Sequence, residues 1–487
     1  MPLVRTDSMQ DIDFTLRRQF GKKTFRPQQR EIINATLEGK DVFVQAATSF
    51  GKSLCFQLPA VIDHGITIVI SPLLSLMMDQ VKALRDSNID ARTLNSNTPF
   101  PEREHIMRDL GTGHPLTRLL YVTPELCSGP YFRERLELVH KQKELARIAV
   151  DEAHCISEWG HDFRKDFKRL SWFRERFQDV PIMCLTATAN EQVRNDILTT
   201  LGILGPNLKT FTMSAFRPNL HLEVRFTSDQ TDDRYDDFVS WLKGVYDRRA
   251  QPDRKPELDE TGERVENVSG IIYTTSRDEC ESLAASLRSH EIAARPFHAK
   301  LTNAQKEQTL QKWINNVVGY DIIVATTAFG MGIDKDDVRF VVHWRLPKSF
   351  EGYYQEAGRA GRDGRASYCF LYYSREDRDR VCGMIMKDNA AMGHGNRHDR
   401  EGGEANKRAR IASHEALVRY CEDTSGCRHA AITKYFGEKE VPKCDFACDW
   451  HKDKDGLKRR WREGLASEEW VCTQREEGAF EDYYYSE

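Results

Sequence analysis

The stretch Asp41-Val42-Phe43-Val44-Gln45-Ala46-Ala47-Thr48-Ser49-Phe50-Gly51-Lys52-Ser53-Leu54-Cys55-Phe56-Gln57-Leu58 decides how this chain is read. A short β-branched run enters a tight turn, and a helix-compatible apolar run leaves it. In a strand–turn–helix of this kind, backbone N–H groups converge on one point and the helix dipole adds positive potential. That is an anion site. The loop Thr48, Ser49 and Gly51 would cradle phosphates, with Lys52 reaching the β- and γ-phosphates and the Ser53 hydroxyl placed on Mg²⁺. Ala46 stands where such loops usually have their first glycine, and Ser49 stands at another position that is commonly glycine.

Further short apolar runs of the same kind lie on either side of helix-length segments: Thr67–Ile70, Leu119–Val122, Arg147–Val150 and Ile182–Leu185. The pattern resumes at Gly270–Tyr273, Asp321–Val324, Phe340–His343 and Tyr368–Leu371. Runs of this length suit strands buried on both faces, and their spacing predicts parallel β-α-β units. The fold class expected is therefore α/β, with two open parallel-sheet domains in tandem, over 1–215 and 216–388. The polar interval 248–269 reads as a solvated loop inside the second. Residues 389–410, rich in Gly, Asn, Arg and His, read as a flexible linker. A small cysteine-bearing module follows over 411–455, then a charged tail over 456–487.

The 487 residues are 40% hydrophobic and 30% charged, which suits ordered cores and argues against global disorder. No apolar run reaches membrane-spanning length, and Met1–Gln10 lacks the apolar stretch of a signal peptide, so no membrane partner is expected. A formal charge of −4 excludes polyanion binding through overall charge; such contacts would need local basic groups. Most of the 12 cysteines are scattered singly in apolar segments, as in a reducing compartment.

Three more groups carry chemistry. Arg147–Val150 runs straight into Asp151-Glu152. Adjacent acids at the end of a buried strand are costly unless a cation or water occupies the site. Asp151 would hold Mg²⁺, and Glu152 would orient and deprotonate an attacking water. In the segment from Gln355 to Gly364, Arg359 and Arg362 lie three apart, so a helical turn would put both on one face, able to stabilise charge on a transferring phosphoryl group. Supplied from the second domain, they would make ATP hydrolysis depend on closure of a cleft between the domains. Finally, Cys427, Cys444, Cys448 and His451 are separated by 16, three and two residues, a spacing that suits tetrahedral Zn²⁺ in a structural role. Cys421 is a spare thiol that could replace a ligand.

Taken together, these motifs resemble the RecQ family of DNA helicases, in helicase superfamily 2. The resemblance runs through Phe20-Gly21 with Phe25–Gln29, Ser71–Gln80, Tyr121–Glu125, Asp151–Arg164, Leu185–Ala189, Phe216–Leu220, Ala325–Lys335 and the arginine segment. It covers roughly Phe14 to His451. The segment Cys155–Arg164 is similar to the aromatic-rich loop peculiar to the family. Lys22 stands where the family often has an aromatic residue, and Glu158 where glutamine is common.

What the resemblance implies is specific. The two domains would be RecA-like and the module after them a small helical zinc-binding one. Gln29 would read the adenine edge and Arg26 would lie against the base plane. Thr186 and Thr188 would relay between ATP and DNA, Asp334 would sit near the nucleotide, and Arg359 and Arg362 would be arginine fingers. Trp159, His161, Phe163 and Arg164 would contact single-stranded DNA, where each stacked base contributes roughly 1–3 kcal/mol. Backbone amides and hydroxyls around Ser75 and Thr123 would hold phosphates. The expected cofactors are ATP, Mg²⁺ and structural Zn²⁺; the partner is single-stranded and partially duplex DNA, with 3′-to-5′ travel, in repair, recombination or replication. The family's module uses four cysteines, and here His451 stands in place of the last. The family frequently carries a winged helix and a further helical module after the zinc site, and 456–487 leaves no room for either. Lys407-Arg408-Ala409-Arg410 is a short basic run compatible with a nuclear location. An RNA helicase of the same superfamily, and a non-catalytic nucleic-acid-binding scaffold, remain open alternatives at this point.

Overall fold

The computed structural model describes residues 8–472, apart from 48–49, 158–164, 228–232, 262, 327–328, 330–334, 392–396 and 446. The chain divides into two compact units, one up to Ala215 with Glu401–Ala409, the other Phe216–Arg400 with the residues from Arg410 onward. Each is built on a parallel sheet with helices, the RecA-like arrangement, and the second also carries the small helical module.

In the first unit seven strands are described: β1 (Asp41–Gln45), β2 (Ile66–Ile70), β3 (Ala91–Leu94), β4 (Leu119–Val122), β5 (Leu145–Val150), β6 (Ile182–Thr186) and β7 (Leu208–Thr212). They pair in the order β3-β4-β2-β5-β6-β1-β7, all parallel. Side chains alternate between two cores. Phe43, Ile68, Ile70, Ile148 and Val150 face one, and Val42, Val44, Val69 and Ala149 the other. Helix Ser8–Arg18 adds Ile12 and Leu16 to a smaller cluster with Ile33, Leu37, Leu54 and Leu58.

The second unit has β8 (Leu220–Phe226), β9 (Gly270–Tyr273), β10 (Ala294–Phe297), β11 (Ile322–Ala325), β12 (Phe340–His343) and β13 (Ser367–Tyr373). Their order is β10-β11-β9-β12-β13-β8, again parallel. Every apolar run singled out in the sequence falls on a strand, with Asp321 just ahead of β11.

Three intervals differ from expectation. The interval 248–269 contains helix Lys255–Thr261. Most of 389–410 is helical, because helix Arg375–Ala391 enters it and helix Arg397–Glu422 begins inside it. The Gly-rich reading overlooked Glu404 to Arg410, where Ala, Lys and Arg favour helix. The supposed tail is helix Lys454–Cys472 over its first half, with Leu457 and Leu465 buried.

The small module is docked on the free edge of β8. Leu222 and Cys448 form a parallel bridge, and Leu222 N donates to Ala447 O at 3.0 Å. Val224 N donates to Asp449 Oδ2 at 3.0 Å. The His429 ring, kept neutral by burial, donates through Nε2 to Leu220 O at 3.0 Å and Ala447 O at 3.1 Å. Arg428 and Asp449, each 1% exposed, pair at 2.9 Å behind this seam. Among the described residues no helix is long and apolar enough to cross a membrane.

Candidate nucleotide site, arginine turn and metal cluster

Because the first sheet is parallel, the carboxyl ends of β1, β5 and β6 share one edge, the usual ligand-binding edge of such sheets. Each leads into a segment the sequence singled out. After β1, Gly51 has φ +80°, and a Cβ there would come within 2.9 Å of Gln29 Nε2. Only glycine accepts both the conformation and the approach. Buried Gln29 clamps the loop: its Nε2 donates to Phe50 O at 2.9 Å and Gly51 O at 3.3 Å, and its Oε1 accepts from Arg26 N at 2.8 Å. Adenine reading was the expected role; both ends of this amide are engaged by the protein's own backbone.

Lys52 is buried, and its Nζ donates to Ala46 O at 3.0 Å and Ala47 O at 3.3 Å, so the ammonium lies within the curve of the loop. Ser53 precedes helix Leu54–Ile62 without capping it through its side chain. Thr48 and Ser49 lie outside the described residues.

Asp151 follows β5 and is buried. Burial first, and the Glu152 carboxylate second, push its carboxyl up to about 7, with Lys52 acting in the opposite direction. A buried Asp151 with a partly exposed Glu152 beside it and a lysine nearby suits a divalent cation together with phosphates. Glu152 adopts a left-handed φ of +49°, uncommon for a residue with a side chain, and its N–H donates to Asp151 Oδ1 at 3.0 Å.

A line of polar contacts runs onward from Glu152. The Nδ1 of buried His154 lies 3.3 Å from Glu152 Oε2 and 3.1 Å from Thr186 Oγ1. Thr186 Oγ1 in turn accepts from Thr188 N at 3.1 Å. Burial opposes a proton on His154, but Cys155 and Glu152 outweigh it and raise its imidazolium form well above the usual range. The two threonines expected to relay are thus joined to the acid pair through His154, for which the sequence suggested no role. Its signal was its place two residues after Glu152. A second tie was not foreseen: Tyr121 OH donates to Gln80 Oε1 and accepts from Gln57 Nε2, both at 2.9 Å. It connects the helix after the phosphate loop with helix Leu74–Asp86.

Ser75 is the second residue of that helix, and Thr123 is half-buried before the short helix Pro124–Cys127. Both segments leave the same sheet edge, after β2 and β4. Trp159, His161, Phe163, Arg164 and Asp334 lie outside the described residues.

In the second unit, Arg359 and Arg362 sit on a turn past the end of helix Phe350–Ala357, and not on a helical face as expected. The helix ends at Ala357 with Gly358 as its C-cap, before the pair is reached, and Gly361 and Gly364 continue the turn in left-handed backbone. Two residues from the segment before β8 hold the turn. Arg217 donates to the carbonyls of Gly358 (3.3 Å), Ala360 (3.1 Å) and Gly361 (2.9 Å). Asn219 Nδ2 donates to Gly361 O and Arg365 O, both at 2.9 Å. Arg359 is buried, and the Tyr273 hydroxyl, itself donating to Phe329 O at 3.0 Å, accepts from its guanidinium. Burial raises the Tyr273 hydroxyl above its ordinary range while Arg359 opposes the rise.

In the C-terminal module, Cys427, Cys444, Cys448 and His451 present ligand atoms within 4.8 Å of one another. Cys448 Sγ is central, 3.8 Å from Cys444 Sγ, 3.9 Å from Cys427 Sγ and 3.3 Å from His451 Nδ1. Three thiols and an imidazole converging without a disulfide are the donor set of a closed zinc site. Cys421 is buried and outside this group, hence not the fourth donor here.

Sequence models of three families match in succession: DEAD/DEAH box helicase over 26–196, helicase conserved C-terminal domain over 256–364 and RecQ zinc-binding over 375–452. The chain belongs to the RecQ helicase family. It is 41% identical over 449 residues to the rat ATP-dependent DNA helicase Q5, covering 91% of this chain and 44% of that one. It is 42% identical to the RecQ-like DNA helicase BLM of Xenopus laevis, covering 86% of this chain and 28% of the other. The chain thus spans less than half the length of these RecQ relatives. Among solved structures, it resembles the Mycobacterium smegmatis helicase Lhr bound to ssDNA and AMP-PNP, with a TM-score of 0.54 at 18% identity over 84% of this chain and 57% of that one. That likeness concerns the fold.

Proposed function

We propose that this chain is the motor of an ATP-dependent DNA helicase that moves 3′ to 5′ along single-stranded DNA and separates a duplex. The observation that carries this reading is the line of polar contacts from Glu152, next to buried Asp151, through His154 to Thr186 and Thr188. A change at a bound phosphate is thereby transmitted toward the segments that leave the same sheet edge. The DNA substrate is supported by the RecQ relatives, which carry DNA helicase names.

In this reading the loop around Gly51 binds the triphosphate, and Lys52 exchanges its carbonyl partners for phosphate oxygens. Glu152 orients and deprotonates the attacking water, with His154 holding its carboxylate. Mg²⁺, held by Asp151 and Ser53, would neutralise charge on the phosphates. Arg359 and Arg362 stabilise charge developing on the transferring phosphoryl group. Arg26 and Gln29 border the base, and Asp334 acts from the second unit. Ser75, Thr123, Trp159, His161, Phe163 and Arg164 contact DNA. Cys427, Cys444, Cys448 and His451 hold a structural zinc ion. A nuclear role in DNA repair, recombination or replication is part of the same proposal.

ATP hydrolysis with and without a single-stranded DNA oligomer tests this, comparing wild type with Glu152→Gln. We expect stimulation by DNA in wild type, and in the variant ATP binding with turnover reduced by at least about 10²-fold. Equal stimulation by RNA would move the substrate assignment to RNA, and undiminished turnover in the variant would remove Glu152 from the chemistry.

A further inference from the structure

The opposite, amino edge of the first sheet carries a cluster that the motor chemistry does not use. Glu144, immediately before β5, buries its carboxylate, with its side chain only 4% exposed. Two exposed histidines turn a ring nitrogen onto the same oxygen. His64 Nε2 lies 3.0 Å and His114 Nδ1 2.9 Å from Glu144 Oε1, with side-chain exposures of 61% and 85%. The three ligand atoms lie within 4.8 Å of one another, and the imidazole centroids are 6.1 Å apart.

The backbone holds these donors in place. Ile66 N donates to Glu144 O at 2.6 Å, and Gly65, at φ +92°, passes so close that a Cβ would lie 2.5 Å from that oxygen. Glycine at this point lets the chain carry His64 alongside Glu144. The loop bearing His114 is fixed from beyond by Asp109, which accepts from Leu116 N (2.9 Å), Thr117 N (3.1 Å) and Thr117 Oγ1 (2.7 Å). Donors from the entries to β2, β4 and β5, three neighbouring strands, therefore meet at one point on a rigid sheet.

We infer that His64, His114 and Glu144 form a second divalent transition-metal site. Two imidazoles and one carboxylate, with open positions toward water, suit Zn²⁺ or Co²⁺; Mg²⁺ and Ca²⁺ favour all-oxygen sets. Ligands of a tetrahedral ion at about 2.0–2.1 Å stand roughly 3.3 Å apart, so the two histidine-to-carboxylate separations need to open by only a few tenths of an ångström. Each neutral imidazole offers the facing nitrogen's lone pair to the ion while its proton moves to the other ring nitrogen; the carboxylate changes from accepting two N–H groups to coordinating. The bound ion pins three strand entries on the edge opposite the phosphate loop.

The test uses the whole chain with its thiolate site filled with zinc and loosely held metal removed. Co²⁺ is titrated and followed by its visible ligand-field bands and by metal content. Wild type is expected to take up one further ion per chain without sulfur-to-cobalt charge transfer, and to melt at higher temperature when it does. His64→Gln and His114→Gln supply an amide N–H in place of the imidazole, so Glu144 retains a donor. Each should weaken uptake at least about tenfold, and together they should abolish both uptake and the thermal shift, with DNA-stimulated ATP turnover unchanged. Absence of a further ion in wild type at about millimolar Co²⁺, or undiminished uptake by the double variant, overturns the assignment.

Discussion

Gly361 and Gly364 lie in the turn that carries Arg359 and Arg362, and both have left-handed backbone, at φ +56° and +81°. Their surroundings differ. A Cβ at Gly361 would lie 2.4 Å from Asn219 Nδ2, 2.9 Å from Arg365 O and 2.9 Å from Ser367 Oγ; at Gly364 it would meet nothing within 4 Å. Alanine at either position costs about 1–2 kcal/mol for the left-handed conformation. At Gly361 it also displaces the Asn219 amide and its two hydrogen bonds, each contributing about 1 kcal/mol. Gly361→Ala should therefore lose about 3–4 kcal/mol and Gly364→Ala about 1–2 kcal/mol, read from urea unfolding. Displacement of the turn moves both arginines, so DNA-stimulated ATP turnover should fall by about tenfold or more in Gly361→Ala and stay near wild type in Gly364→Ala. Equal destabilisation of the two variants, or full turnover in Gly361→Ala, would refute the reasoning.

Cys448→Ser should abolish zinc retention, since Cys448 Sγ is the centre of the cluster, whereas Cys421→Ser should keep the metal; chelator-monitored zinc release from the two proteins distinguishes them. Protons should compete with Mg²⁺ at Asp151: as pH falls through about 7, more Mg²⁺ is needed for half-maximal ATP turnover, and a requirement flat between about pH 6 and 8 would count against Asp151 as the ligand. The folded value lies above the ordinary 3.8, so this group's stabilising contribution is complete below about pH 4 and is lost as pH rises through about 7. Urea unfolding of Asp151→Asn across that range should accordingly show a shallower decline than wild type.

The strands visible in the sequence are the inner ones. β1, β2, β4, β5 and β6 in one sheet, and β9, β11, β12 and β13 in the other, are apolar along nearly their whole length because both faces are covered. β3, β7, β8 and β10 escaped notice, and these four are the sheet edges. Their exposure is mixed: Arg92 and Thr93 interrupt β3, Lys209 and Thr210 are exposed in β7, and β8 alternates buried with half-buried residues. An edge strand needs one good face only, so its composition resembles that of a loop. The site was legible to a similar depth. Lys52, Asp151 and the cysteine spacing follow from local chemistry. Arg217 and Asn219 were visible only as part of a resemblance, because what they hold lies about 140 residues later in the chain. Gln29 carried an adenine role by resemblance, and its grip on the phosphate loop needed coordinates.

The seam between β8 and the segment Ala447–Asp449 has a consequence for solubility. Leu220 O, Leu222 N and Val224 N would otherwise offer an open row of main-chain donors and acceptors, a template on which another chain can pair. Because Cys448 belongs both to this seam and to the thiol cluster, stripping the metal loosens the cover as well as the module. Chelated protein should then self-associate through β8 before it loses its parallel sheets.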